Sequence, residues 1–260
     1  MFHRPVVLPS VARRLSARSF CRSAALAAAA IFACDAGRAQ GQSINIPNFS
    51  FENPTANSPG FPVNVDIDNW TDTPQRAGYP GPIPWGFGTG NFPNPGVGET
   101  GHVTNMDGNR AAYILASLEL GFFQELTSPQ GVFIVGQAYQ LTAGISPQDG
   151  TPAGTVLSLS LYYRNAGAIV PLATTPVPIF PDTNTFFDFS VSVPAVLATD
   201  AWAGQPIGIL FQFTNVPAEN GGYDIDNVRL QAVPEPGSML MAGLGATLLI
   251  ARRRRGAHRA

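Results

Sequence analysis

Between residues 40 and 233 no apolar stripe of helical period lasts for two turns. What recurs instead is alternation. Leu157-Ser-Leu-Ser-Leu161 and Phe187-Asp-Phe-Ser-Val-Ser-Val193 switch between apolar and polar at each step, which is the pattern of a strand with one buried and one wet face. Comparable β-rich runs lie at 44–51, 111–118, 121–126, 138–145, 168–174, 206–213 and 222–233. Turn residues separate them, and the chain holds 27 glycines and 24 prolines to make such turns. The spacing predicts an all-β fold, an antiparallel two-sheet jelly-roll-like sandwich. Residues 195–202 are expected to add a short helical turn. A body of this length can bury a sizeable core.

One segment breaks the rhythm. Residues 72–108 are rich in proline and glycine, with Trp85, Phe87 and Phe92 among them. A loop of that length is expected to be either functional or disordered.

The two ends of the chain do not belong to such a body. Residues 1–22 carry five arginines and no acid, an apolar run follows from Ala24 to Cys34, and Ala36-Gly37-Arg38-Ala39 places small residues before Gln40. Residues 1–39 therefore read as a secretory signal peptide. At the other end Pro234, Glu235 and Pro236 precede an apolar run from Ser238 to Ala251, closed by Arg252, Arg253, Arg254 and Arg255. The prolines stop the preceding strand. The run predicts a hydrophobic helix of about 21 Å, short against a hydrocarbon core of about 30 Å. The arginines are expected to anchor the terminus on the cytoplasmic side.

That order of Pro-Glu-Pro, short apolar helix and terminal arginine cluster resembles the PEP-CTERM sorting signal of Gram-negative bacteria. The resemblance covers residues 233–260. It implies recognition by an exosortase-type peptidase, insertion in the inner membrane through the C-terminal helix until processing, and then delivery to the cell surface or extracellular matrix.

Charge and cysteine usage agree with export. The chain contains no lysine; the body keeps four of the fifteen arginines and fifteen of the seventeen acids. So acidic a body excludes nucleic acid as a partner. Both cysteines, Cys21 and Cys34, precede residue 40, so the mature chain has no disulfide and must be held by packing or by a metal.

A second set of motifs spans the body: Asn48-Phe-Ser-Phe-Glu52, Ile67-Asp-Asn-Trp70, Gln124-Glu-Leu126, Tyr139-Gln-Leu-Thr-Ala143 and Tyr223-Asp-Ile-Asp-Asn-Val-Arg-Leu230. They resemble galactose-binding-like carbohydrate-binding modules. The resemblance implies a structural calcium joining the first and last strands, with Glu52 and Asp226 as side-chain ligands and Asn48 nearby. Calcium takes six to eight hard oxygens, so carboxylates from both ends of the domain suit it. Asp224 is set aside as facing away from Asp226. A sugar platform would use exposed aromatics, with Trp85, Tyr162 and Tyr163 as candidates, while Trp70 and Trp202 are expected in the core.

Catalytic patterns are sparse. His102 is the body's one histidine, and no nucleophile elbow, metal-binding histidine pair or phosphate-cradling glycine loop occurs. Asp66 with Asp68, or Glu119 with Glu125, could form a glycosidase pair only if the fold set them at the right separation. The sequence therefore points to an exported, non-enzymatic surface or matrix protein that binds exopolysaccharide. The alternatives are a purely structural or adhesive matrix protein and a glycan-active enzyme.

Overall fold

The computed structural model describes residues 41–57, 63–73 and 88–234. Eleven strands form: β1 (Gln42–Ile44), β2 (Thr71–Asp72), β3 (Thr89–Pro93), β4 (Arg110–Leu115), β5 (Gly121–Glu125), β6 (Gln137–Pro147), β7 (Val156–Asn165), β8 (Ala168–Pro178), β9 (Phe187–Val193), β10 (Gly208–Asn215) and β11 (Gly222–Pro234). They make two antiparallel sheets. The first runs β3-β4-β11-β6-β9, with β1 also on β11; the second runs β2-β5-β10-β7-β8. This is the all-β two-sheet sandwich that the alternation predicts.

The inner faces supply the core. Leu157, Leu159 and Leu161 of β7 face Leu141, Ala143 and Ile145 of β6, with Tyr223, Ile225 and Leu230 of β11 in the same cluster. An aromatic group joins the second sheet to the loops before it: Trp70 lies 5.3 Å from both Phe51 and Phe122, and Phe122 lies 5.2 Å from Phe211. Trp70, 8% exposed, is in the core as expected, while Trp202 is half-buried at the core's margin, packed edge-on against Phe133 at 5.0 Å.

The run at 44–51 is strand only to Ile44, after which residues 47–50 turn. Residues 198–204 form turns rather than a helix. The long segment 72–108 is partly structured: Thr89–Pro93 is the edge strand of the first sheet. Residues 94–109 then fold over the outer face of that sheet, where Val103, Ala111 and Phe186 form a small second cluster with Phe92 and Met106. Residues 74–87 lie outside the described residues, as do the signal peptide and the hydrophobic C-terminal segment. No helix among the described residues is long and apolar enough to cross a membrane.

Candidate functional site

Two polar clusters share the outer face of the first sheet, both centred on β11. Tyr223 and Ile225 point into the core, so Asp224 and Asp226 point out together, as residues two apart on a strand must. The expectation that they face opposite ways is thus corrected. After Asp226 the register with β6 slips, and Asn227 takes φ of 49°. This bulge returns Val228 and Leu230 to the core and bends the strand where Asp226 sits.

The first cluster holds Glu52 and Asp226. Asp226 is 1% exposed. Its Oδ2 accepts the Asp107 N–H at 2.5 Å and its Oδ1 accepts the Asn227 N–H at 2.7 Å. Glu52 Oε1 accepts the N–H groups of Asn109 and Arg110 at 2.7 and 2.8 Å. The two carboxylates thus grip the segment 107–110 from both sides. Gly108 is required there, because it has φ of 96° and a Cβ on it would fall 2.3 Å from Glu52 Oε1. Arg110 and Asn91 position Glu52. The Arg110 guanidinium donates to Thr55 O, Asn57 Oδ1 and Asn91 Oδ1, and Asn91 Nδ2 donates to Phe51 O at 2.8 Å.

Burial pushes the Asp226 carboxyl up to about 7, with the Asp107 and Glu52 charges adding to the rise and the two N–H bonds opposing it. A cation between these carboxylates would relieve that cost, and an all-oxygen set of carboxylates and carbonyls, with no imidazole or thiolate, suits calcium better than zinc. Among the described residues no three acidic, imidazole or thiol side chains converge on one point, so main-chain carbonyls would have to complete such a shell. Asn48 is turned elsewhere: its Nδ2 donates to Asn53 O and Asp68 O, and its Oδ1 accepts the Asn53 N–H. It staples the loop 48–53 that presents Glu52.

The second cluster surrounds Asp224, which pairs in register with Tyr113 on β4 and Ser146 on β6. Gln148 Nε2 donates to Asp224 Oδ1 at 2.7 Å. Burial pushes this carboxyl up to about 7 as well, against that bond. Ser146 Oγ, beside it, is buried without a hydrogen-bond partner. Tyr113 lies over Gly90, where a Cβ would come within 2.6 Å of the phenol oxygen. Burial and then the charges of Asp72 and Asp66 raise the phenol to about 12. A buried hydroxyl without a partner, next to a carboxyl that keeps its proton, is a place where a ligand's polar edge gains hydrogen bonds. Sequence reasoning missed Tyr113, Ser146 and Gln148. The Asp-x-Asp spacing of 224 and 226 was the available signal.

The proposed aromatic platforms are corrected. Tyr162 and Tyr163 are buried, at 0% and 9% exposure. Tyr163 belongs to the core cluster. Tyr162 lies across Gly208, where a Cβ would meet its ring at 2.2 Å, and donates to Glu125 Oε1 at 3.2 Å. Glu125 also pairs with Arg164, whose guanidinium stacks 5.1 Å from the Phe123 ring. Trp85, Glu235, Pro236 and Arg252 to Arg255 lie outside the described residues. The backbone of Pro234 is the last residue of β11, opposite Gln137. His102 bonds Pro95 O through Nδ1 at 2.7 Å, within its own loop.

Comparison with known proteins places these observations. The model of the HpiC1-like family, described as HpiC1 cyclase, matches residues 42–231. The PEP-CTERM protein-sorting motif matches residues 232–255. Among solved structures the chain is similar to the Stig cyclase Fisc from Fischerella sp. TAU in complex with (3Z)-3-(1-methyl-2-pyrrolidinylidene)-3H-indole. The identity is 21% and the TM-score 0.56, over 75% of this chain and 99% of that one. A cyclase from Fischerella sp. TAU in complex with 4-(1H-indol-3-yl)butan-2-one gives 20% and 0.55, over 74% and 98%. The CBM22-1 xylan-binding domain from Paenibacillus barcinonensis Xyn10C gives 13% and 0.39, over 64% and 87%. At these identities the two cyclase structures share the fold of this chain. No curated protein sequence matches the chain.

Proposed function

The chain belongs to the HpiC1-like family, and from that premise we propose an exported surface protein that binds a neutral, hydroxyl-bearing ligand on the outer face of its first sheet. Its sorting motif implies export and exosortase-dependent processing. The observation that carries the binding role is the Asp224 cluster. There a carboxyl, an amide and an unpartnered hydroxyl gather on one sheet face, with the Tyr113 phenol farther along that face over Gly90, though the core needs none of them. Glycans are the ligand class that an extracellular destination offers, and the role is binding without turnover. Glu52 and Asp226 hold a calcium ion that ties the loop 107–110 to the first and last parts of the body.

The test is retention of the mature chain on the cells' own exopolysaccharide. Asp224→Asn with Ser146→Ala is expected to abolish retention without lowering the melting temperature of the calcium-loaded chain. Retention that survives the double substitution would remove the assignment. A second measurement, mass spectrometry of the secreted chain, is expected to find a C-terminus close to Pro234; an intact arginine terminus on the surface form would count against processing.

One observation favours a second reading, acid catalysis. The Asp224 carboxyl keeps its proton up to about pH 7, and a protonated carboxyl held in a part-buried polar site can donate that proton to a bound molecule. Closing a ring on an indole or an electron-rich alkene needs such a donor, and the solved relatives are cyclases with indole ligands. This reading expects turnover of an indole-type substrate that Asp224→Asn abolishes and Asp224→Glu partly keeps. No conversion by the intact chain would leave the binding role alone.

A further inference from the structure

The two ends of the described body leave from one place, and that place is apolar. Gln42 pairs with Ala232 at the close of β11, and a Cβ on Gly41 would lie 3.1 Å from Gln231 Oε1. Pro234 sits opposite Gln137, the first residue of β6. The segment leading into β6 bridges the segment that follows β9. Val135 pairs with Val196, the Gly136 N–H donates to Val196 O at 2.8 Å, and the Val196 N–H donates to Gln137 O at 3.0 Å. On these two segments Ile134, Val135 and Leu197 are 42%, 52% and 61% exposed, three of the six large apolar side chains exposed among the described residues. Beside them Ala138, Val193, Pro194 and Val233 line a shallow apolar groove.

We propose that this end of the sandwich is a membrane-facing surface, which rests against the lipid headgroup boundary while the C-terminal segment is inserted. Two facts favour lipid as the occupant. The first is tether length. Only three residues, Glu235, Pro236 and Gly237, lie between Pro234 and Ser238, where the apolar run begins. Fully extended, the four steps from Pro234 to Ser238 reach about 14 Å, so an inserted tail holds this end within that distance of the bilayer. The second is charge. The mature body carries fifteen acids, which an anionic leaflet repels. Yet residues 128–137 and 194–206, which build this end, include only Asp200, whose carboxylate is committed to the Leu197 N–H at 2.7 Å. Besides Glu235 in the tether, the neighbouring acid at this end is Glu125, opposite Gly208 and neutralised by Arg164; the two connecting segments themselves carry no uncommitted acid and present aliphatic side chains that partition into the interface.

This inference rests on the reading of the tail as a membrane anchor, and the experiment separates the two. The mature chain from Gln40, with its tail, contains no cysteine, so a single environment-sensitive dye can be placed at Leu197→Cys or, at a loop remote in sequence from either end, at Asp149→Cys. Each labelled chain is reconstituted into phosphatidylethanolamine–phosphatidylglycerol vesicles carrying a quencher on the acyl chain near the headgroup. The expected result is flotation of both chains with the vesicles, quenching of the dye at 197 and none above background at 149. Ile134→Ser with Val135→Ser is expected to lose quenching at 197 and still float. Flotation without quenching at 197 overturns the proposal while the anchor stands, as does a blue shift at 197 that the lipid quencher does not touch, since a protein surface would then cover the patch. Failure to float overturns the anchor and the proposal with it.

Discussion

Trp70→Ala is expected to destabilise the body by about 3–5 kcal/mol, the usual cost of deleting a buried large aromatic. For a body of this size that is a fall of roughly 6–20 °C in melting temperature, readable by calorimetry or near-ultraviolet dichroism. The magnitude follows from where the indole sits. It is 8% exposed and packs against Phe51, Phe122 and Phe211 at 5.3, 5.3 and 6.0 Å. Its Nε1 also donates to Asn48 O at 3.3 Å, so its loss frees the loop that carries Glu52. The substitution should therefore weaken calcium binding besides lowering stability. A variant that melts within a degree or two of the parent would mean that the aromatic cluster is not packed as described.

Calcium is expected to set how stability depends on pH. The Asp226 carboxyl rises in the folded chain from 3.8 to about 7, chiefly through burial. Below pH 3.8 both folded and unfolded chains hold the proton and nothing is lost. Between 3.8 and about 7 the unfolded chain ionises while the folded chain keeps the proton, so stability falls as pH rises. Above about 7 the loss is complete. At about 1.4 kcal/mol per unit it amounts to a few kcal/mol. Asp224 contributes in the same direction and window. In chelator the melting temperature should therefore fall from pH 4 to pH 8, and Asp226→Asn should flatten much of that slope. Calcium favours the ionised form and should reverse the fall at pH 8. At a hundredfold excess over Kd the gain is about 2.7 kcal/mol, or roughly 5–10 °C. The same addition should leave Asp226→Asn nearly unmoved. Identical melting curves with calcium and with chelator at pH 8 would remove the ion from the structure.

The strands were legible because alternation is local. Apart from 44–51, which is strand only at Ile44, each β-rich run in the sequence contains an observed strand, and the clean cases at 157–161 and 187–193 sit in register within β7 and β9. The strand β3 was hidden, since Thr-Gly-Asn-Phe-Pro has neither alternation nor strong β propensity; pairing with β4 makes it a strand. Alternation also correctly put Tyr162 on the face opposite Leu161. It failed to find a sugar platform there because that face is not wet: Ser158, Ser160 and Leu210 are buried on it too.

The sequence by itself determined that the body would be two antiparallel sheets, that no disulfide would hold them, and that a sorting tail would follow, because residue period, cysteine position and motif order are properties of the chain read locally. Glu52 and Asp226 could be named as a pair only through resemblance. What brings them to the same backbone segment is the bulge at Asn227 and the fold of residues 94–109 over the sheet. The Asp224 site was decided wholly by tertiary structure. Ser146 and Gln148 meet Asp224, and Tyr113 pairs with it in register, across separations of more than seventy residues, and strand pairing between such distant segments leaves no mark on any one of them.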